Sequence, residues 1–140
     1  MEKIRKIISV ILCCAALLGC MTVYASAAEN GTAVMPRYNN VAASDTDFTI
    51  SDDVAYIFVA YRGYEGVTTG ATIKVTLQKK FLLFFWQDVT SWTLTPNTVM
   101  YSNTLTYPIS SGTHKVTVEY QIYGNAGATD VITEEFEKKN

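Results

Sequence analysis

Residues that could do chemistry are few in this 140-residue chain. It has a single histidine, His114, and its cysteines, Cys13, Cys14 and Cys20, all fall within the first 20 residues. A zinc site needs three or four ligands of the His, Cys or carboxylate type, so one histidine argues against zinc. A serine hydrolase built on His114 would need a Gly-x-Ser-x-Gly turn, which the sequence lacks. We therefore expect the His114 ring to pack at the start of a strand.

Four aspartates lie close together in the first half of the chain. Asp45 and Asp47 are followed by Asp52 and Asp53, a spacing that could suggest a calcium loop. An EF-hand loop starting at Asp45 needs glycine at its sixth position, where Ile50 stands. Aspartate also favours turns because its side chain bonds the local backbone. We expect a turn at Asp52 and Asp53, and a calcium loop of another kind is the alternative.

Two further catalytic patterns are incomplete. Glu134 and Glu135 are adjacent, so on a strand they point to opposite faces and cannot form a glycosidase pair. The glycines from Gly63 to Gly70 lack the Gly-Lys-Ser/Thr sequence of a phosphate loop. The sequence thus predicts a protein that is not an enzyme and holds no cofactor or metal. A small hydrolase using His114 is the weakest alternative.

The first 27 residues have the pattern of a secretory signal peptide. A basic start at residues 3–6 precedes an apolar run over residues 7–23, and Ala25-Ser26-Ala27 supplies the small side chains that cleavage requires. We expect this signal helix to be removed and the protein to be secreted. An uncleaved anchor is one alternative. A lipoprotein anchored through Cys20 is another, because Leu17-Leu18-Gly19-Cys20 resembles a lipobox.

Removal of the signal leaves a chain without cysteine. It would run from about Ala28 to Asn140, 113 residues, enough for one domain that is held by its core alone. Its eight basic and twelve acidic side chains give a net charge of −4. With no basic patch visible in the sequence, this balance argues against a nucleic-acid partner and disfavours contact with an anionic membrane surface.

The clearest structural pattern runs from Gly112 to Tyr123. Alternate residues here are apolar, namely Val116, Val118, Tyr120 and Ile122. A period of two with one apolar face predicts a half-buried strand whose apolar residues belong to the core.

Similar patterns predict the rest of the domain. A short edge strand is expected at residues 38–43. Further strands are expected at 48–50, 54–61 and 71–78, along the segment 81–92, and at 99–107 and 130–137. The predicted organisation is a signal peptide over residues 1–27, a flexible leader over 28–46 that contains the edge strand, and a β-sandwich over 47–140.

A family resemblance is carried by the segment from Ser111 to Val118. Its sequence, Ser-Gly-Thr-His-Lys-Val-Thr-Val, resembles the F strand of immunoglobulin-like and fibronectin-III-like domains, which reads Gly-x-Tyr-x-Val-x-Val. His114 stands in the tyrosine place, and the antibody-type cysteines and strand-C tryptophan are missing. The resemblance implies an all-β, Greek-key β-sandwich of about seven strands. The whole chain also resembles small, cysteine-free secreted proteins of unknown function from Gram-positive bacteria, which implies export.

Loops at one end of such a sandwich form the first candidate site. In an immunoglobulin-like order the loop 62–70 and the turns 94–98 and 124–128 share this end. Five side chains in or beside these loops are candidates for ligand binding: Arg62, Tyr64, Glu65, Tyr123 and Asn125. Aromatic and amide groups on loops suit recognition of a glycan or a protein. Ordinary tyrosines on loop stems are the alternative.

The apolar run from Phe81 to Trp86 forms the second candidate site. In an extended chain Phe81 would point one way, and Leu82, Phe84 and Trp86 the other. We expect one face to be core. The other face would be covered by the leader around residues 35–41, which is favoured, or by a partner or membrane.

These patterns favour a secreted, non-enzymatic β-sandwich that binds an extracellular partner, a glycan or a protein, outside the cell or at its envelope. The alternative is a self-associating or membrane-contacting, structural or toxin-like protein that acts through the run from Phe81 to Trp86.

Overall fold

A computed structural model of the protein describes residues 37–140, which form seven strands and no helix. The strands are β1 (Val41–Ser51), β2 (Val54–Gly63), β3 (Thr68–Phe81), β4 (Phe85–Leu94), β5 (Met100–Pro108), β6 (Thr113–Gly124) and β7 (Asp130–Lys139). The predicted signal peptide, Cys20 and leader residues 28–36 lie outside the described residues. No helix between residues 37 and 140 has the length and apolar character to cross a membrane.

The strands form two antiparallel sheets. One has three strands in the order β1-β2-β5, and the other has four in the order β4-β3-β6-β7. The chain therefore passes from one sheet to the other after β2, after β4 and after β5. A single core contains side chains from both sheets, which is the arrangement of a β-sandwich. The all-β prediction is confirmed.

The strand that the sequence predicts most clearly is a central strand of the fold. β6 lies between β3 and β7, and Val116, Val118, Tyr120 and Ile122 are all fully buried. Their burial confirms the prediction that they are core residues. The alternation arises because successive side chains on a strand point to opposite faces of the sheet.

Aromatic and polar contacts link the two sheets. Trp92 of β4 meets Tyr107 of β5 edge-to-face, with ring centroids 6.0 Å apart. On the other side Ser44 of β1 donates a hydrogen bond from its hydroxyl to Glu134 of β7 at 2.9 Å. Glu135 points to the opposite face and accepts a hydrogen bond from the Thr117 hydroxyl at 3.2 Å, so the two glutamates are separated as predicted.

The turn between β1 and β2 confirms the structural interpretation of its aspartates. Ser51 pairs with Val54, which leaves Asp52 and Asp53 as a two-residue turn. Both have positive φ, 52° and 58°, as a type I′ hairpin turn requires. Aspartate tolerates this conformation better than most residues, which explains the pair at this position.

The beginning of β1 corrects the strand assignment made from the sequence. One continuous strand, Val41–Ser51, replaces the separate strands expected at 38–43 and 48–50, and it crosses residue 47. The sequence suggested two strands because the polar residues 44–47 separate the two apolar segments, although Thr46 among them is buried.

Tyr120 forms a buried polar contact inside the core. Its hydroxyl lies 2.6 Å from Thr46 Oγ1 and donates a hydrogen bond to the carbonyl oxygen of Asp45 at 3.0 Å. Burial raises the pKa of Tyr120 from the ordinary value of 10.0 to about 12.

This shifted pKa predicts a loss of stability at high pH. An unfolded tyrosine ionises near pH 10, whereas folded Tyr120 ionises only near pH 12, so the neutral form favours folding. The resulting stabilisation, about 2–3 kcal/mol, is fully present below pH 10 and disappears as the pH rises through 12. Urea unfolding across this range should show that Tyr120→Phe, although less stable at neutral pH, loses less stability than wild type. Equal losses in the two proteins would contradict the assignment.

Candidate functional site

The apolar run forms the hairpin that connects β3 to β4. Phe81 pairs with Phe85, and Leu82, Leu83 and Phe84 form the turn between them. Leu82 has a positive φ of 57°, a conformation that bulky residues rarely adopt. The two long strands on either side fix this turn, since β3 and β4 remain paired along the length of β4.

All five residues from Phe81 to Phe85 are exposed, with 59–82% of their surface accessible. We call these five residues the apolar tip. The expectation that one face of this run is core is wrong, because the chain reverses here instead of continuing as an extended strand. Trp86, the next residue, is half-buried.

The described part of the leader lies at the other end of the sandwich. Val41 pairs with Gly63, where β2 ends, whereas the apolar tip begins at Phe81, the last residue of β3. Asn39 and Asn40 are bonded there to Asp130 at the start of β7. Cover of the apolar tip by leader residues 37–41 is therefore excluded.

Lysines surround the base of the hairpin, directly below the apolar tip. Lys80 pairs with Trp86 across the hairpin, and its Nζ lies 5.4 Å from the centroid of the indole ring. The Nζ of Lys115, on β6, lies 4.9 Å from the same centroid. Lys79 points to the opposite face of the hairpin and donates a hydrogen bond to Ser110 Oγ at 2.6 Å. We call Lys79, Lys80 and Lys115 the basic collar.

Two acidic side chains of β7 balance part of this charge. Glu137 lies 3.9 Å from Lys80, and Glu135 lies 3.9 Å from Lys115. At 3.9 Å these pairs are longer than a charge-assisted hydrogen bond and partly exposed, so each contributes little to stability. The side chains of Lys80 and Lys115 keep 36% and 21% of their surface exposed.

The loops predicted to share one end do meet there. The backbone N–H of Asn125 donates a hydrogen bond to the Val67 carbonyl oxygen at 3.0 Å, which joins the β6–β7 turn to the β2–β3 loop. The Ala71 amide donates to the Pro96 carbonyl at 2.9 Å, which joins the β4–β5 connection to β3. The predicted clustering of these three loops is confirmed.

Close packing between these loops depends on two glycines. A Cβ atom at Gly63 would lie 2.0 Å from Thr68 Oγ1, and one at Gly124 would lie 2.3 Å from Asn40 Oδ1. Both distances are far below van der Waals contact, so side chains are excluded at these positions. This end of the sandwich is therefore a tightly packed junction.

The five candidate residues at this end do not form one platform. Arg62 and Glu65 border a shallow hollow of about 370 Å³ on the three-stranded sheet, together with Met100. Tyr123 lies on the outer face of the four-stranded sheet, where its hydroxyl donates to Thr72 Oγ1 at 2.9 Å.

Two of the five candidates lie in the loops themselves. Tyr64 is 44% exposed in the β2–β3 loop, and Asn125 is exposed in the β6–β7 turn. The structure thus brings Arg62 and Glu65 together, and it separates both of them from Tyr123.

His114 lies inside the fold at the start of β6. It is 1% exposed, and its Nδ1 lies 3.2 Å from the Gly112 carbonyl oxygen. Burial lowers the pKa of His114, and the nearby Lys79 ammonium adds to this effect. Within residues 37–140, no three His, Cys, Asp or Glu side chains lie together as metal ligands.

The sequence did not single out Asp130, which has the most extensive contacts of any carboxylate described above. It is buried, and its two oxygens accept hydrogen bonds from the amides of Asn39, Asn40 and Val41 at 3.0, 2.6 and 3.1 Å. A signal was present, because Asp130 shares the core-facing period of Ile132 and Phe136 on β7. Its role is to hold the start of β1 against β7.

These features define a seven-stranded, all-β domain in which the exposed apolar tip of one hairpin stands above the basic collar. No protein-family model matches the chain, and no curated protein has a similar sequence.

Proposed function

We propose that the protein is a secreted, non-enzymatic binding module that attaches to its partner through the apolar tip. The observation that carries the proposal is the exposure of five consecutive large apolar side chains at one hairpin. Covering a side chain of this size contributes roughly 1.5–3 kcal/mol, so their combined burial exceeds what a weak contact needs. Exposed apolar patches of this kind mark sites of protein or membrane contact.

The strand order supports a Greek-key sandwich of the immunoglobulin-like type. In such domains the A, B and E strands form one sheet and the C, F and G strands share the other. Here β1-β2-β5 and β3-β6-β7 follow the same two orders, and β4 adds to the second sheet beside β3. Folds of this type commonly display binding residues at the ends of the sandwich, where the apolar tip lies.

The position of His114 favours binding over hydrolysis. A general base must reach the proton that it removes. His114 is on the core-facing side of β6 and is 1% exposed, so its ring is not accessible to a substrate. Arg62 and Glu65 at the other end border a hollow that is open and shallow, and Tyr123 is on the other sheet. The apolar tip is thus the stronger candidate for the contact surface.

Replacing two residues of the apolar tip should remove binding without unfolding the protein. Leu83→Ser with Phe84→Ser deletes two of its most exposed side chains, so the melting temperature should stay close to wild type. The exported protein is mixed with washed cell envelopes and sedimented, and its self-association is followed by analytical ultracentrifugation. We expect the double variant to lose whichever of the two associations the wild type shows.

A second double variant controls for surface hydrophobicity in general. Tyr56→Ser with Val131→Ser removes two exposed side chains on the outer faces of the two sheets, neither of which belongs to the apolar tip. It should associate like wild type. If the two double variants associate equally, or if the tip variant melts far below wild type, the apolar tip is not the contact surface.

A further inference from the structure

The side chains of the β3–β4 hairpin are ordered by polarity along its length. Leu82, Leu83 and Phe84 are at its end, Trp86 follows, and Lys80 lies directly across from Trp86. From the end of the hairpin towards its base, the order is therefore aliphatic and phenyl groups first, and then the Trp86 indole together with the Lys80 ammonium at one level. A lipid bilayer presents the complementary order of acyl chains, interface and phosphate groups, and tryptophan is enriched at its interface.

The length of this gradient fits the interfacial region of a bilayer. A strand advances about 3.4 Å per residue, so Leu83 and Trp86 are separated by at most about 10 Å. Apolar side chains of interfacial proteins reach about 5–10 Å into the boundary between head groups and acyl chains. With the apolar tip at that depth, Trp86 and Lys80 lie among the head groups.

The charge at the hairpin base differs from the net charge of the chain. It comes from three lysines, and Glu137 and Glu135 at 3.9 Å partly balance two of them, Lys80 and Lys115. Lys79 lies on one face of the hairpin base, and Lys80 and Lys115 lie on the other. Asp52 and Asp53 are near the same end, but they belong to the turn of the other sheet. Each lysine close to an anionic leaflet adds about fivefold to binding.

A second copy of this chain is a poorer occupant. The apolar tip is convex, so a rigid partner must offer a concave apolar socket to cover it. The hollow beside Arg62 and Glu65 is bordered by both charges, and the adjoining one is bordered by Asp45. Burying Phe84 against these groups would desolvate them without a compensating hydrogen bond. A fluid bilayer has no such requirement of shape.

We propose that the partner of the apolar tip is a lipid bilayer with anionic head groups, which the tip enters while the basic collar binds lipid phosphates. This inference rests on the proposed function, because it names the partner of the same surface. The protein lies on the bilayer as an interfacial module and the β-sandwich stays in water.

Flotation with vesicles of phosphatidylcholine, with and without phosphatidylglycerol, tests the proposal. The exported protein is used, and its intact mass reports which N-terminal residues it retains, since residues 7–23 would bind lipid by themselves. The wild type should partition onto both vesicles, more strongly with phosphatidylglycerol. Leu83→Ser with Phe84→Ser should lower partitioning by at least about 100-fold on both.

Neutralising two lysines should act on anionic vesicles only. Lys80→Gln with Lys115→Gln removes two lysine charges, which predicts a loss of about 30-fold with phosphatidylglycerol and little change without it. Added salt should reproduce this loss in the wild type and have a smaller effect on the Gln variant, which retains Lys79 alone of the basic collar. Lys74→Gln, on the same strand but remote from the hairpin, is the matched control for removal of a surface charge.

Trp86 provides a readout that leaves the apolar tip intact. The chain has two tryptophans, so Trp92→Phe leaves Trp86 as the single indole. Its emission should shift to shorter wavelength as anionic vesicles are added, and stay unchanged when Leu83→Ser and Phe84→Ser are also present.

Two outcomes separate this inference from the function on which it rests. In the first, the wild type binds neither kind of vesicle in flotation while its envelope binding or self-association still requires Leu83 and Phe84. In that case the partner is a protein and the lipid proposal is wrong. If the tip variant matches wild type in every assay, both proposals are wrong.

Discussion

Val118→Asp is expected to abolish cooperative folding at neutral pH. Val118 is fully buried on β6, with Val75 of β3 on one side and Glu134 of β7 on the other. An aspartate there would be buried without a positively charged partner and beside an existing carboxylate. Burying such a charge costs several kcal/mol, against a total stability of about 5–15 kcal/mol for a domain of this size. Circular dichroism with thermal and urea unfolding measures the loss.

Val131→Asp is the matched control for this substitution. Val131 is 57% exposed on the outer face of β7, across from Gln121 of β6. The same chemical change there should alter stability by about 0.5 kcal/mol or less, because the carboxylate remains in water. A Val118→Asp protein that melts like wild type would show that β6 has the opposite face in the core.

The regular strands could be predicted because their signal is local. β6, β2 and β7 begin within one residue of the predicted positions 112, 54 and 130, since the period of two and the flanking turn residues are both visible in the sequence. The Asp52-Asp53 turn could be predicted for the same reason.

The hairpin could not be predicted because its turn contains none of the usual turn residues. Leu82, Leu83 and Phe84 give no local signal for reversal, and Leu82 adopts a positive φ only because β3 and β4 pair on both sides. Tertiary pairing therefore determines this turn, and intrinsic preference does not. The sequence correctly singled out the apolar run as unusual, but only the reversal shows that its side chains face solvent.

The separation of the loop residues has a different cause. Arg62 and Tyr123 are both at ends of strands that meet at one end of the sandwich, so the sequence grouped them together. Arg62 follows the buried Tyr61, and Tyr123 follows the buried Ile122, so each points away from the core. Because β2 and β6 belong to different sheets, these outward directions are opposite. Strand order alone cannot supply this information.

Removing the Asp130 carboxylate is expected to detach the start of β1. Asp130→Ala leaves the backbone N–H groups of Asn39, Asn40 and Val41 without their acceptors. The hydrogen bonds of Asn40 and Val41 are buried. A buried donor without a partner costs about 1–3 kcal/mol, so the free energy of unfolding should fall by several kcal/mol. Because 1 kcal/mol corresponds to about 4–8 °C in a domain of this size, the melting temperature should fall by at least about 10 °C.

Hydrogen exchange distinguishes local detachment from general weakening. In Asp130→Ala the amides of Asn40 and Val41 should exchange far faster, whereas those at the centre of β6 should change only with global stability. Asp130→Asn, which retains one acceptor oxygen, should fall between Ala and wild type. Asp47→Ala removes an exposed carboxylate from β1 itself and should change neither exchange nor melting. If Asp130→Ala keeps slow exchange at Val41, these amides have another acceptor and Asp130 does not hold β1 in place.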